Sequence, residues 1–139
     1  MDVVGLLVVV GVLVVTTATG LALRARAGPV RRGTATGGWA LAGRRPGDGE
    51  TVLLLQLSSP VCAPCRQTAA ALDGLAARTA GVVHVEVDVA EHSDVARALH
   101  VLRTPTTVAF DRAGGELLRV AGVPRVTELA SALAAALHE

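Results

Sequence analysis

The sequence predicts an α/β fold: a mixed sheet with helices on both faces, in the order β-α-β-α-β-β-α, preceded by one transmembrane helix. Three observations carry this. Residues 3–23 form an apolar run without one charged side chain. From residue 51 onward, strand-like apolar segments alternate with Ala/Leu-rich helical ones. A strand-helix-strand sequence implies a right-handed parallel crossover, while the turn DRAGG at 111–115 closes an antiparallel hairpin, so the sheet is mixed.

The first element is the apolar run VVGLLVVVGVLVVTTATGLAL at 3–23. About 20 such residues let a helix cross a bilayer. A cleaved signal peptide is the competing reading, and Ala25-Arg26-Ala27 loosely resembles its cleavage site, but basic residues are missing ahead of the run, where only Met1 and Asp2 stand. Arg24, Arg26, Arg31 and Arg32 follow the run and no basic side chain precedes it, which predicts a single-pass cell-membrane protein with its carboxyl domain in the cytoplasm. An extracytoplasmic domain is the alternative. Residues 24–50, rich in Gly, Arg, Thr and Pro, read as a linker with a short ordered piece at 39–42. Trp39, the only tryptophan, suits packing or a membrane interface better than catalysis.

The folded domain is expected over 51–139. TVLLLQLS at 51–58 suits a strand buried on both faces. Residues 63–79 suit a helix, with Pro64 tolerated in its first turn and Leu72, Leu75, Ala76 and Thr79 on one face. VVHVEVDV at 82–89 alternates, with Val83, Val85 and Val87 opposite His84, Glu86 and Asp88. Ser93 or Asp94 caps a short helix through Leu99; strands follow at 106–110 and 116–121, and a helix over 126–139 closes the chain.

Composition narrows the function. The chain has 139 residues, enough for one modest domain and an appendage. A formal net charge of +1 gives no reason to expect a nucleic-acid partner. Hydrophobic residues make up 51% and aromatics 1%, so the core must be Leu, Val and Ala.

Both cysteines lie in SSPVCAPCRQ, residues 58–67, where a strand end meets a helix start. A thiolate is the species that attacks a disulfide, and the unpaired N–H groups and dipole of a helix amino terminus stabilise it. Cys62 is therefore the candidate nucleophile. Cys65, one turn on, is the candidate resolving thiol, and Pro64 restricts the turn between them.

In element order, in CAPC and in LHVLRTPTT at 99–107, residues 51–139 resemble the thioredoxin family. The resemblance implies a thiol-disulfide oxidoreductase acting on protein thiols and disulfides. No cofactor beyond a redox-active Cys62–Cys65 disulfide is implied, and the electron donor is unknown. It also implies that Pro105 is a cis-proline facing the cysteines, that Thr104 supplies a substrate-pairing edge, and that Gly122 lets a substrate lie close. This chain departs from the family ahead of residue 51, where the family has a further strand and helix and linker-like sequence stands here, so the domain is either trimmed or carries a degenerate first strand. It departs again at Val61, where a shielding tryptophan usually stands. The buried family aspartate corresponds to Gln56 and its lysine partner to His84. An amide does not titrate in this range, so His84, with Gln56 or a water, is the candidate for proton transfer. A structural histidine is the plainer reading.

No metal is expected: Cys62 and Cys65 with two of His84, His92, His100 and His138 have the atoms for zinc, but no histidines stand at zinc-finger spacing. A purely structural disulfide across so short a loop would remove little chain entropy. The competing class is a non-catalytic, membrane-tethered adaptor that binds partner proteins at the Pro105 edge. Glu86, Asp88 and Glu91 read as a solvated strand face, and Gly114-Gly115 as a turn.

Overall fold

A computed structural model describes residues 2–25 and 28–138. Met1, Arg26, Ala27 and Glu139 lie outside the described residues, and with them most of the triplet that resembles a cleavage site. The apolar run forms α1 (Val3–Ala25). Its Val3–Ala22 portion is long and apolar enough to cross a membrane, with a mean hydropathy of 2.4 and none of it buried. Length and composition fit a membrane anchor and a signal sequence alike.

All seven elements expected after residue 51 are present. They are β2 (Val52–Ser58), α3 (Ala63–Arg78), β3 (Val82–Asp88), α4 (Ser93–Ala98), β4 (Thr106–Asp111), β5 (Glu116–Ala121) and α5 (Val126–Leu137). Two more precede them in the segment expected to be a linker: β1 (Val30–Arg31), and α2 (Gly38–Leu41), which overlaps the short ordered piece expected at 39–42. The sheet order is β1-β5-β4-β2-β3, with β2 and β3 parallel and the other neighbours antiparallel.

The alternation of β2 builds the core. Every residue of β2 is buried. Successive side chains leave a strand on opposite sides, so Val52 and Leu54 meet Leu72 and Leu75 of α3 and Leu129 and Leu133 of α5. Leu53, Leu55 and Leu57 meet Trp39 of α2, Val95 of α4 and Phe110. The odd-numbered valines of β3 join this second cluster, which leaves His84 on the α3 side.

Segment 28–50 is ordered against the domain by polar contacts that its composition hides. Ala35 N–H donates to Glu116 Oε2 at 2.9 Å, and the Trp39 indole N–H donates to the Asp111 carbonyl at 2.8 Å. Trp39 is 5% exposed, a packing residue. The Glu116 side chain is fully buried and pairs with Arg119, which also donates to the Leu99 carbonyl at 2.9 Å. Burial pushes the Glu116 carboxyl up, but the Arg119 bond, the Ala35 N–H and the Arg119 charge outweigh it, and the net direction is down.

Local details differ from expectation at helix ends. His92, not Ser93 or Asp94, occupies the N-cap of α4, without a side-chain capping bond. Thr79 is the extended C-cap of α3 and is exposed, so the buried face of that helix is Cys65, Thr68, Leu72 and Leu75. The hairpin turn is held by Gly115 N–H to Asp111 Oδ1 at 2.8 Å, with Gly114 at a φ of 89°, where glycine avoids the Cβ clash.

Candidate active site

β2 delivers the chain to Ser58, and the following loop turns it into α3 with Cys62 as the N-cap. Cys62 has extended backbone, φ −135° and ψ 99°, and its Sγ accepts the Cys65 N–H at 3.2 Å. A sulfur thus takes the place usually filled by a Ser or Asp oxygen, receiving one of the amides left unpaired at a helix start. Pro64 stands in the first turn, where no N–H is required. Cys62 and Cys65 are joined in a disulfide, with Cα atoms 5.2 Å apart. Cys65 is 2% exposed, Cys62 is half-buried, and Val61 is 96% exposed.

The segment before β4 comes to the same place. Thr104-Pro105 is a cis peptide, with Pro105 buried. The Thr104 and Ser59 hydroxyls lie 3.1 Å apart in a hydrogen bond that ties the loop before Cys62 to the loop before Pro105. Gly122, at a φ of 95°, donates its N–H to the Pro105 carbonyl at 2.7 Å. Thr104, Pro105 and Gly122 are therefore linked to one another, and Ser59 links them to the cysteine loop.

Beneath the motif lies a polar chain. Gln56 is fully buried on the α3 side of β2. Its Nε2 donates to the Cys65 carbonyl and to Ser58 Oγ, both at 2.9 Å. Its Oε1 lies 2.9 Å from His84 Nε2, and His84 Nδ1 lies 2.7 Å from Asp73 Oδ1. Gln56 and His84 do meet, and Gln56 reaches Cys65 through its backbone carbonyl. Sequence reasoning missed Asp73, Ser58 and Ser59: an aspartate on the flank of a helix gives no signal until the helix is set against β3.

A cleft of about 290 Å³ opens beside the pair, lined by both cysteines, Ser58, Ser59, Glu86 and Asp88, with Arg66 at its side. His92 and His100 bound α4, and His138 caps α5. Among the described residues, no group of three or more His, Cys, Asp or Glu is placed to hold a metal ion.

This arrangement suits exchange: a half-exposed sulfur at a helix start, a buried sulfur one turn on, and a fixed loop beside them. Comparison with known proteins agrees. Residues 47–135 match the thioredoxin family model. The chain belongs to the thioredoxin family. It is 34% identical to a thioredoxin of Echinococcus granulosus over 74 residues, which are 53% of this chain and 68% of that protein. Among solved structures, chloroplastic thioredoxin z superposes with a TM-score of 0.59 at 25% identity, covering 72% of this chain and 86% of that one. A mutant thioredoxin from Halobacterium salinarum NRC-1 gives 0.54 at 26% identity, covering 59% and 71%. The thioredoxin domain and its cysteine pair make this chain of the thiol-disulfide oxidoreductase type.

Proposed function

We propose that the chain is a membrane-tethered oxidoreductase that reduces protein disulfides through Cys62 and Cys65. The observation that carries the reading is Cys62 as the N-cap of α3, its sulfur accepting a backbone N–H, with Cys65 buried one turn further on. The Cys62 thiolate attacks a substrate disulfide; one S–S bond breaks, another forms, and the first substrate sulfur leaves as a thiolate that takes a proton. Cys65 then gives its proton to solvent and attacks Cys62 Sγ, closing the Cys62–Cys65 bond and releasing the second substrate sulfur as a thiolate that takes a proton in turn. Two electrons pass from the pair to the substrate. A dithiol donor returns them.

Thr104, Pro105 and Gly122 are the residues we assign to substrate binding, as an edge held beside the cysteines. Gln56 and His84 are assigned to the change of charge at Cys65. An amide does not titrate, so a charge in that pair belongs to His84. α1 is assigned as the anchor. The arginines that follow it favour a cytoplasmic domain, and there the reducing surroundings keep the pair as a dithiol.

The test is turnover of a protein disulfide with dithiothreitol as donor. The wild type accelerates it, Cys62→Ser abolishes it, and Cys65→Ser accumulates a mixed disulfide. A wild type that binds partners through the same face without turnover would overturn the reading in favour of an adaptor. Phosphatase fusions at the carboxyl end read the topology: strong activity would put the domain outside and exclude the cytoplasmic assignment.

A further inference from the structure

The hydrogen-bond partners of His84 define more than its position. Gln56 Nε2 faces the Cys65 carbonyl, which only accepts, so the amide is fixed with its oxygen toward the ring. His84 Nε2 must then carry a hydrogen. The other nitrogen, Nδ1, faces Asp73 Oδ1 at 2.7 Å, and an ionised carboxylate also only accepts. The ring that satisfies both neighbours has a hydrogen on each nitrogen and is a cation. Its side chain is 6% exposed, while that of Asp73 is 70% exposed.

The surroundings give that cation a task. β2 presents only the neutral Gln56, and α3 presents Asp73, with Arg66 beside the cleft. Further along β3, Glu86 and Asp88 line the same cleft as the sulfurs. Those two carboxylates repel a thiolate, and a positive ring under the motif opposes them.

We infer that Asp73 is a positioning residue that holds His84 as a fixed cation beneath the cysteine pair, where it stabilises the thiolate of the reduced state. This rests on the reading of Cys62–Cys65 as an exchange pair. The cation serves through its charge and not as a proton conduit. Its Nε2 hydrogen is held by an amide oxygen that leads to no titrating group, and its Nδ1 hydrogen points toward Asp73, which is exposed to solvent. In the reductive half-reaction a donor thiolate attacks Cys62 Sγ, the Cys62–Cys65 bond breaks, and Cys65 leaves as a thiolate. The second donor thiolate then displaces Cys62, and the donor becomes a disulfide. His84 keeps its hydrogens throughout, and the charge it faces changes.

The experiment uses the full chain in detergent micelles. Redox titration against glutathione compares wild type, Asp73→Asn, Asp73→Glu and His84→Gln, and ¹⁵N NMR reads the His84 ring at the same pH. Asp73→Asn is expected to favour the disulfide by about threefold to tenfold, tenfold corresponding to about 30 mV for two electrons. His84→Gln should shift it at least as far, and Asp73→Glu should restore the wild-type equilibrium. The wild-type ring should show two protonated nitrogens and the Asp73→Asn ring one. A singly protonated wild-type ring overturns the inference, as does an Asp73→Asn equilibrium within twofold of wild type while the wild type exchanges normally. A wild type that does not exchange with glutathione defeats the oxidoreductase reading itself, and the inference falls with it.

Discussion

Replacing Glu116 by Gln tests whether the segment ahead of β2 belongs to the domain energetically. The carboxylate is fully buried and bonds both Arg119, with Nη2 at 2.7 Å from Oε2, and the Ala35 N–H at 2.9 Å. Glutamine keeps the volume but offers one acceptor and turns an amide donor toward a guanidinium or an N–H. A hydrogen bond to a charged group contributes about 1.5–3 kcal/mol, and breaking a fully buried ion pair costs about 3–5 kcal/mol. Arg119 is 27% exposed and retains the Leu99 carbonyl, which lowers the cost of leaving it unpaired. The expected loss is about 2–3 kcal/mol at pH 7. Urea unfolding followed by the fluorescence of Trp39 measures it, since the only tryptophan sits in α2, next along the chain from the bond being removed. The pH dependence supplies an internal check. The folded carboxyl titrates below the ordinary value of 4.5, so its contribution is complete above that pH and disappears as the pH falls through the folded value. Wild-type stability should therefore decline below pH 4.5 more steeply than that of Glu116→Gln. A loss under about 0.5 kcal/mol, the range of ordinary surface substitutions, or parallel acid profiles of the two proteins, would refute the reasoning.

Three further outcomes are expected. In Gly28→Ala the new Cβ would overlap the Ala121 carbonyl, and backbone cannot yield as a side-chain tip can; a loss of about 1–3 kcal/mol is expected, with hydrogen exchange showing lost protection where β1 pairs with β5. Gln56→Leu removes the partner of the buried Cys65 carbonyl and of His84 Nε2; thermal unfolding should report a loss of about 1–3 kcal/mol. Thr107 is fully buried, and its hydroxyl has no hydrogen-bond partner among the described residues. Thr107→Val should leave stability unchanged or raise it by up to about 1 kcal/mol in urea titration, and a loss of that size would count against the assignment.

The legible parts of this chain are those where one pattern recurs along a segment. β2 announces burial on both faces because Val52 through Leu57 carry only apolar side chains apart from Gln56. Cys62 and Cys65 are legible because a strand, a proline and a helix bracket them. β1 is not, because a strand of two residues has no periodicity to show. Its place is set by pairing of Val30 with Val120 and by the Glu116 bond to Ala35, contacts that join distant parts of the sequence. Composition alone made that stretch look like a linker. Asp73 was hidden for a related reason: its partner lies on another element, and the helix pattern marks it only as an outward-facing polar residue.

Gln56 shows how one substitution in a family pattern constrains the next. Its place on β2 puts it on the same side as Val52 and Leu54, under the start of α3. There it must give a hydrogen to the Cys65 carbonyl and take one from the ring across on β3. A carboxylate accepts at both ends and has nothing to offer that carbonyl, whereas an amide has one donor end and one acceptor end. Once the amide is fixed in this way, residue 84 must donate, and a ring nitrogen does so while its second nitrogen reaches outward to α3. The group able to carry a charge is thus the ring of His84, one residue further from the cysteines than the amide. It is held there by Asp73, at the surface and open to solvent. Gln56, His84 and Asp73 form one set: an ionised aspartate at residue 56 would leave an acceptor facing the buried Cys65 carbonyl, whereas the amide gives that carbonyl a hydrogen and takes one from the ring.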